Sequence, residues 1–170
     1  MAHADTGKAT SEDSNPMRMR VEGIAHEEAV RIRNGGADAN GQPALLKTAD
    51  AGANPCRHCL GLIAEGSPML VLSWRPFETV QPYAESGPIF LHAEECDRYQ
   101  SDHLPTWFTH FDPAIVRGYD GNDWIRYETA RIVKGDEIAA TCESLLENPE
   151  VAYVHIRSKF NCFQCRVDRA

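Results

Sequence analysis

Two Cys-x-x-Cys segments constrain the fold of this chain more than any other feature of its sequence. Cys56 and Cys59 form the first pair, and Cys162 and Cys165 form the second pair close to the C-terminal end. Two thiolates at this spacing can bind one ion, and four thiolates complete a tetrahedral zinc site. The spacing therefore predicts a structural zinc site at these four cysteines, which requires a loop and the last strand to meet in the folded domain.

Other roles for these cysteines agree with the same spacing. Reduced cysteine is a common core residue, and Cys142 belongs to the core because it lies on the apolar face of a predicted helix. In a thiol redox protein, Cys56 would attack and Cys59 would resolve, with the charges of Arg57 and His58 favouring the thiolate. A loop rich in Gly, Ala and Asn precedes the pair, whereas thioredoxin-like motifs follow a strand and open a helix. The sequence therefore favours metal binding over redox chemistry.

Composition and charge limit the class of partner. The chain has 170 residues, and its 17 Lys and Arg against 25 Asp and Glu leave a net charge of -8. Such a field repels nucleic acid and anionic membrane surfaces, and the sequence has no run of basic residues. No apolar stretch approaches the ~18 residues that span a membrane, and the polar start does not resemble a signal peptide. We expect a cytoplasmic protein with reduced thiols, no nucleic-acid partner and no membrane association.

The pattern of apolar residues predicts one α+β domain at residues 17–170, behind a disordered tail at residues 1–16. Its sheet is mainly antiparallel, with a few short helices. Alternating or continuous apolar runs predict the strands, which are placed at residues 17–22, 44–46, 69–74, 88–92, 114–119, 124–133, 151–157 and 162–167. Helices are placed at residues 25–33 and 135–147, where apolar residues recur at helical spacing, and at residues 93–99.

A second candidate site contains no sulfur. Alternation along the strand at 151–157 places Tyr153, His155 and Arg157 on one face, and Arg117 and Tyr119 share a face of a neighbouring strand. Arginine can hold an anion by two parallel hydrogen bonds, and histidine can act as acid or base. These residues predict an enzyme or a binding module for a small anionic ligand. A solvated sheet face is the alternative explanation, because antiparallel sheets often leave one face in water.

Five segments are distinctive when taken together: Pro55-Cys56-Arg57-His58-Cys59-Leu60, Gly87-Pro88-Ile89-Phe90-Leu91-His92, Arg117-Gly118-Tyr119-Asp120, Tyr153-Val154-His155 and Asn161-Cys162-Phe163-Gln164-Cys165-Arg166-Val167-Asp168-Arg169-Ala170. With them, residues 17–170 resemble a bacterial family catalogued as domain of unknown function 1203. The resemblance implies a single domain but no activity. Whether the protein is an enzyme, and whether its partner is a small molecule or a protein, therefore stays open.

The resemblance also bears on the ligand set. The family pattern is similar around Cys56 and Cys59 and again at Cys162, and less clearly so at Cys165. A zinc site common to the family would then take its fourth ligand from another side chain. The candidates are His58, His92, Cys96 and His155. His92 and Cys96 are four residues apart, which is one turn of a helix.

Overall fold

The computed structural model describes residues 18–170, so the predicted tail at residues 1–16 lies outside the described residues. In this part of the chain the strands are β1 (Met19–Glu22), β2 (Leu45–Thr48), β3 (Pro68–Trp74), β4 (Gly87–His92), β5 (Gln100–Ser101), β6 (Ala114–Tyr119), β7 (Arg131–Val133), β8 (Tyr153–Ser158) and β9 (Phe163–Arg169). The helices are α1 (His26–Arg33) and α2 (Ile138–Leu146), with short 3-10 turns at Thr106–His110, Tyr127–Thr129 and Gly135–Glu137. Two antiparallel sheets with two helices confirm the α+β prediction.

The larger sheet contains six strands in the order β5-β1-β9-β8-β6-β7. All of its pairs are antiparallel, and His155 on β8 lies between Arg117 on β6 and Arg166 on β9. Helix α2 and the 3-10 turn at Thr106–His110 pack on the face of this sheet opposite to the one that carries His155. That face carries the larger apolar core, which includes Val21, Phe108, Val116, Ile138, Cys142, Leu146, Val154, Ile156, Cys165 and Val167.

The smaller sheet has the order β2-β3-β4, and α1 covers it. Ala29 and Ile32 of α1 are buried, and the helix ends before Gly35, whose φ of 84° is a left-handed conformation that suits glycine. The second apolar core lies here and includes Ile24, Ala49, Cys56, Ile63, Met69, Leu72, Ile89 and Leu91. The domain thus has two apolar cores, and the first Cys-x-x-Cys pair belongs to the smaller one.

The predicted helix at 135–147 forms, with its first turn in 3-10 geometry. Glu137 accepts a hydrogen bond from the Lys134 backbone amide at 3.0 Å, which satisfies one free amide at the helix start. Ile138, Cys142 and Leu146 lie four residues apart and are all 0% exposed. The predicted core position of Cys142 is therefore confirmed.

Two predicted elements are wrong. Of the strand predicted at 124–133, only β7 forms. Tyr127–Thr129 is instead a 3-10 turn, in which the Thr129 hydroxyl accepts a hydrogen bond from the Gly118 backbone amide. Residues 93–99, predicted as a helix, form an irregular bend. In this bend the backbone amide of Ala93 donates to Pro68 and that of Tyr99 donates to His58. The backbone therefore bonds to distant segments instead of closing helical turns.

Candidate metal centre

The first Cys-x-x-Cys segment is a tight turn. The Cys56 amide donates to the Gly61 carbonyl at 2.8 Å, and the flanking Pro55 and Leu62 form a bridge. Leu60 adopts a φ of 51°, a left-handed conformation that reverses the chain directly after the second cysteine. The turn therefore brings the side chains of Cys56 and Cys59 to the same side of the backbone.

The end of β4 lies beside this turn. Cys56 forms a parallel bridge with Phe90, and the Arg57 amide donates to the Phe90 carbonyl at 3.0 Å. His92 is the last residue of β4, and the following bend returns Cys96 to the same place. Strand pairing thus positions one ligand pair against the other.

Four potential ligand atoms meet at this point. One atom each from Cys56, Cys59, His92 and Cys96 lies within 4.8 Å of all the others. The Cys56 and Cys96 sulfurs are 3.9 Å apart, and the Cys59 sulfur is 3.5 Å from Nδ1 of His92. Tetrahedral zinc, with Zn–S near 2.3 Å and Zn–N near 2.0 Å, requires S–S and S–N separations of about 3.8 Å and about 3.5 Å. These two separations agree with a tetrahedral site, and the Cys3His group as a whole is close enough together to hold one metal ion.

The same segments are matched by a protein family. The family described as "Protein of unknown function (DUF1203)" matches residues 53–169. The chain belongs to this family. No curated protein and no solved structure matches the chain. In the described part of this DUF1203 protein, no helix has the length and hydropathy needed to span a bilayer.

Backbone amides surround the Cys56 sulfur. The His92 amide donates to it at 3.4 Å, and the amides of His58 and Cys59 also point toward it. A hydrogen bond from the Cys59 thiol, helped by these amides, lowers the pKa of Cys56 to about 4, and the same bond raises the pKa of Cys59. The turn therefore favours the Cys56 thiolate, the form that a metal ion requires.

A second layer of polar side chains contacts Cys96. His58 Nδ1 lies 3.2 Å from the Cys96 sulfur, and Arg33 donates to that sulfur at 3.2 Å and to the His92 carbonyl at 3.1 Å. His26 Nδ1 lies 3.3 Å from the other ring nitrogen of His58. Three thiolates with one divalent ion carry a charge of -1, which the Arg33 guanidinium can balance.

The second Cys-x-x-Cys pair does not join this group. Cys165 is paired opposite Ile156 in the larger sheet and is packed in its core, where burial raises the pKa of its thiol. Cys162 precedes β9 and lines a pocket together with Arg157 and Phe163. Arg57 lies between the two pairs: its side chain donates to the Phe163 carbonyl at 2.6 Å, and burial lowers its pKa to about 10.

The cluster thus differs from the four-thiol set that spacing suggests. His92 and Cys96, two of the four alternative ligands, are in it, whereas His58 contacts it from outside and His155 lies on the larger sheet. The available signal was the His-x-x-x-Cys spacing, one helical turn long. In this DUF1203 domain a bend, and not a helix, brings His92 and Cys96 together.

The Arg, Tyr and His side chains predicted to share a strand face do lie together. The His155 ring centroid lies 4.6 Å from that of Tyr119, with the ring planes tilted by 50°, and Arg157 Nη2 is 3.4 Å from Nδ1 of His155. Arg117 and Arg157 both contact the Glu85 carboxylate. The alternative of a solvated face is wrong, since Tyr119 and His155 are 0% exposed and Arg157 is 3% exposed.

Proposed function

We propose that this DUF1203 protein binds a zinc ion at Cys56, Cys59, His92 and Cys96, and that the ion is structural. The observation that carries this proposal is that four ligand atoms lie within 4.8 Å of one another, and that the Cys56–Cys96 and Cys59–His92 separations of 3.9 Å and 3.5 Å are close to those of tetrahedral zinc ligands. The site draws on the Cys-x-x-Cys turn, the end of β4 and the bend that follows it.

The ligand chemistry favours zinc over other ions. Three thiolates and one imidazole form a soft set, which selects against magnesium and calcium, and tetrahedral geometry suits zinc. Four protein ligands fill the coordination sphere and leave no position for water or substrate. The centre therefore supports folding, and we do not assign a metal-dependent reaction to it.

The site lies where the two parts of the domain join. The carbonyls of Arg57 and His58 accept hydrogen bonds from the amides of Ile24 and Tyr99, which flank the edge of the larger sheet. A β-carbon added at Gly23 would lie 1.9 Å from the His58 carbonyl oxygen, so the chain passes very close to the turn. By holding the turn in shape, zinc would stabilise the junction between the two sheets.

Burial argues against a thiol redox role for the same turn. The attacking thiol of a redox protein has to reach its substrate, and Cys56 is 0% exposed in the smaller core. A reducing compartment such as the cytoplasm is part of the proposal, because it keeps these thiols available to metal.

Elemental analysis of protein purified without a metal-affinity tag tests the proposal. We expect about one zinc per chain in the wild type and in Cys162→Ser, and a loss of most zinc in Cys59→Ser. Both cysteines are partly exposed members of a Cys-x-x-Cys pair, so the two variants are matched. Zinc-free wild type that also fails to bind added zinc would overturn the proposal, and so would loss of zinc in Cys162→Ser instead of Cys59→Ser.

A further inference from the structure

The buried strand face of the larger sheet holds charged groups that the metal centre does not use. Arg117 on β6 pairs in register with His155 on β8, and Arg157 follows two residues later on the same strand face. Glu85, from the segment between β3 and β4, contacts both guanidinium groups with the same carboxylate oxygen. The same segment between β3 and β4 covers the cluster from solvent, since the ring of its Phe77 lies 5.3 Å from the His155 ring.

The charges in this cluster do not balance within the described residues. Two guanidinium groups face one carboxylate, and the neighbouring Arg166 is already paired with Asp168 at 2.6 Å. Burial, and the adjacent Arg157, hold the pKa of His155 well below its usual value, so that the ring is neutral. One positive charge is left without a partner, which is costly in a buried site.

The cluster also has more hydrogen-bond donors than acceptors. Arg157 Nη2 lies 3.4 Å from Nδ1 of His155, and a guanidinium only donates, so Nδ1 accepts and the ring proton is on Nε2. In this cluster three buried N–H donors have no partner among residues 18–170, namely Arg117 Nε, His155 Nε2 and Arg157 Nε. The Tyr119 hydroxyl, which can donate or accept, and the Gln164 side-chain oxygen, which accepts, are also unpaired. Buried polar groups are nearly always paired, so this excess points to a missing acceptor.

A pocket of about 190 Å³ opens beside this cluster. Its polar lining includes Arg157 and Glu85 from the cluster together with Ser86 and Asn161, and its apolar lining includes Trp74, Phe160 and Phe163. A ligand that fits both parts of this lining carries one negative charge at one end and an apolar body at the other. A guanidinium recognises a carboxylate group better than a point charge, because two parallel N–H groups match its two oxygens.

We propose that this pocket binds a small monocarboxylate with an apolar body, whose carboxylate lies against Arg157 and beside Glu85. The ligand would bring a negative charge beside the cluster and supply an acceptor oxygen to Arg157, the guanidinium that lines the pocket. This site is separate from the zinc centre and does not depend on it.

Isothermal titration calorimetry with sodium benzoate as the probe tests the proposal, at constant ionic strength and neutral pH. Benzamide has the same shape without the charge and serves as the control ligand, and acetate has the charge without the ring. We expect saturable binding of benzoate at one site, weaker binding of acetate, and no binding of benzamide. Absence of saturable benzoate binding would overturn the proposal, and so would equal binding of benzoate and benzamide.

Two variants of the cluster should shift benzoate affinity in opposite directions. Arg117→Gln makes the cluster neutral and should weaken binding at least about tenfold, whereas Glu85→Gln removes a repelling charge and should strengthen it by about tenfold. Arg126→Gln removes an arginine whose partners are Glu128 and Glu150, and it should leave affinity unchanged. If Arg117→Gln does not fold, Glu85→Gln decides alone: unchanged or weaker binding in that variant would contradict the proposal.

Discussion

The two Cys-x-x-Cys segments have the same spacing and opposite structural outcomes. At the first, the chain reverses within a few residues, because the Cys56 amide bonds to the Gly61 carbonyl and Leu60 adopts a left-handed conformation. At the second, the chain enters β9, where an extended backbone separates Cys162 from Cys165. Residues three apart on a strand point to opposite faces, whereas residues in a tight turn converge. Local spacing predicts a ligand pair only when the backbone between the cysteines is folded back on itself.

Replacement of a buried cysteine in the first segment should have the largest effect. Cys56→Ser removes one of the proposed zinc ligands and places a hydroxyl in the smaller core, where Cys56 is 0% exposed. We expect loss of zinc and a fall in the free energy of unfolding of about 3–5 kcal/mol, measured by urea denaturation with parallel zinc analysis. Full zinc content in Cys56→Ser would remove this residue from the ligand set.

A change outside the cysteines tests whether the shape of the turn matters. In Gly23→Ala, the new methyl group would meet the His58 carbonyl oxygen at 1.9 Å, so the turn has to shift. We expect a cost of about 2–3 kcal/mol and a zinc affinity lower by about tenfold or more, measured by competition with a chromophoric chelator. Gly61→Ala is the matched control, because its added carbon would only touch the Cys59 sulfur at 3.5 Å, an ordinary contact. Equal zinc affinities in the two variants would show that the turn tolerates displacement.

The buried cysteine of the second segment should matter only for packing. Cys165→Ala leaves a small cavity in the larger core, where Cys165 is 1% exposed. We expect a loss of about 1–2 kcal/mol in thermal or urea unfolding, with zinc content unchanged. Loss of zinc from this variant would mean that the second segment reaches the metal centre after all, and the contrast between the segments would fail.

The smallest effect is expected from a residue that contacts a ligand without binding the metal. His58 lies between His26 and the Cys96 sulfur, at 3.3 Å and 3.2 Å. His58→Gln should keep zinc at full stoichiometry but lower its affinity by about tenfold, because second-layer partners orient the ligands. Complete loss of zinc would instead place His58 in the first coordination sphere.

Much of the fold was readable from local patterns. The apolar spacing of Ile138, Cys142 and Leu146 predicted both the position and the buried face of α2, and alternation along β8 placed His155 and Arg157 on one face. The helix predicted at residues 93–99 failed because its backbone groups bond to β3 and to the Cys-x-x-Cys turn. Such long-range hydrogen bonds leave no periodic mark in the sequence.

The sequence by itself placed Cys56 and Cys59 at a spacing that allows two thiols to bind one ion, but it did not determine the tight turn that brings them together. It also determined which side chains share a face of β8, because strand periodicity is local. Only the tertiary structure decided that His92 and Cys96 lie beside Cys56 and Cys59, since the pairing of Cys56 with Phe90 brings the turn to the end of β4. Burial of the Arg and His face was decided in the same way, by Phe77 and Glu85 from a segment distant in the chain.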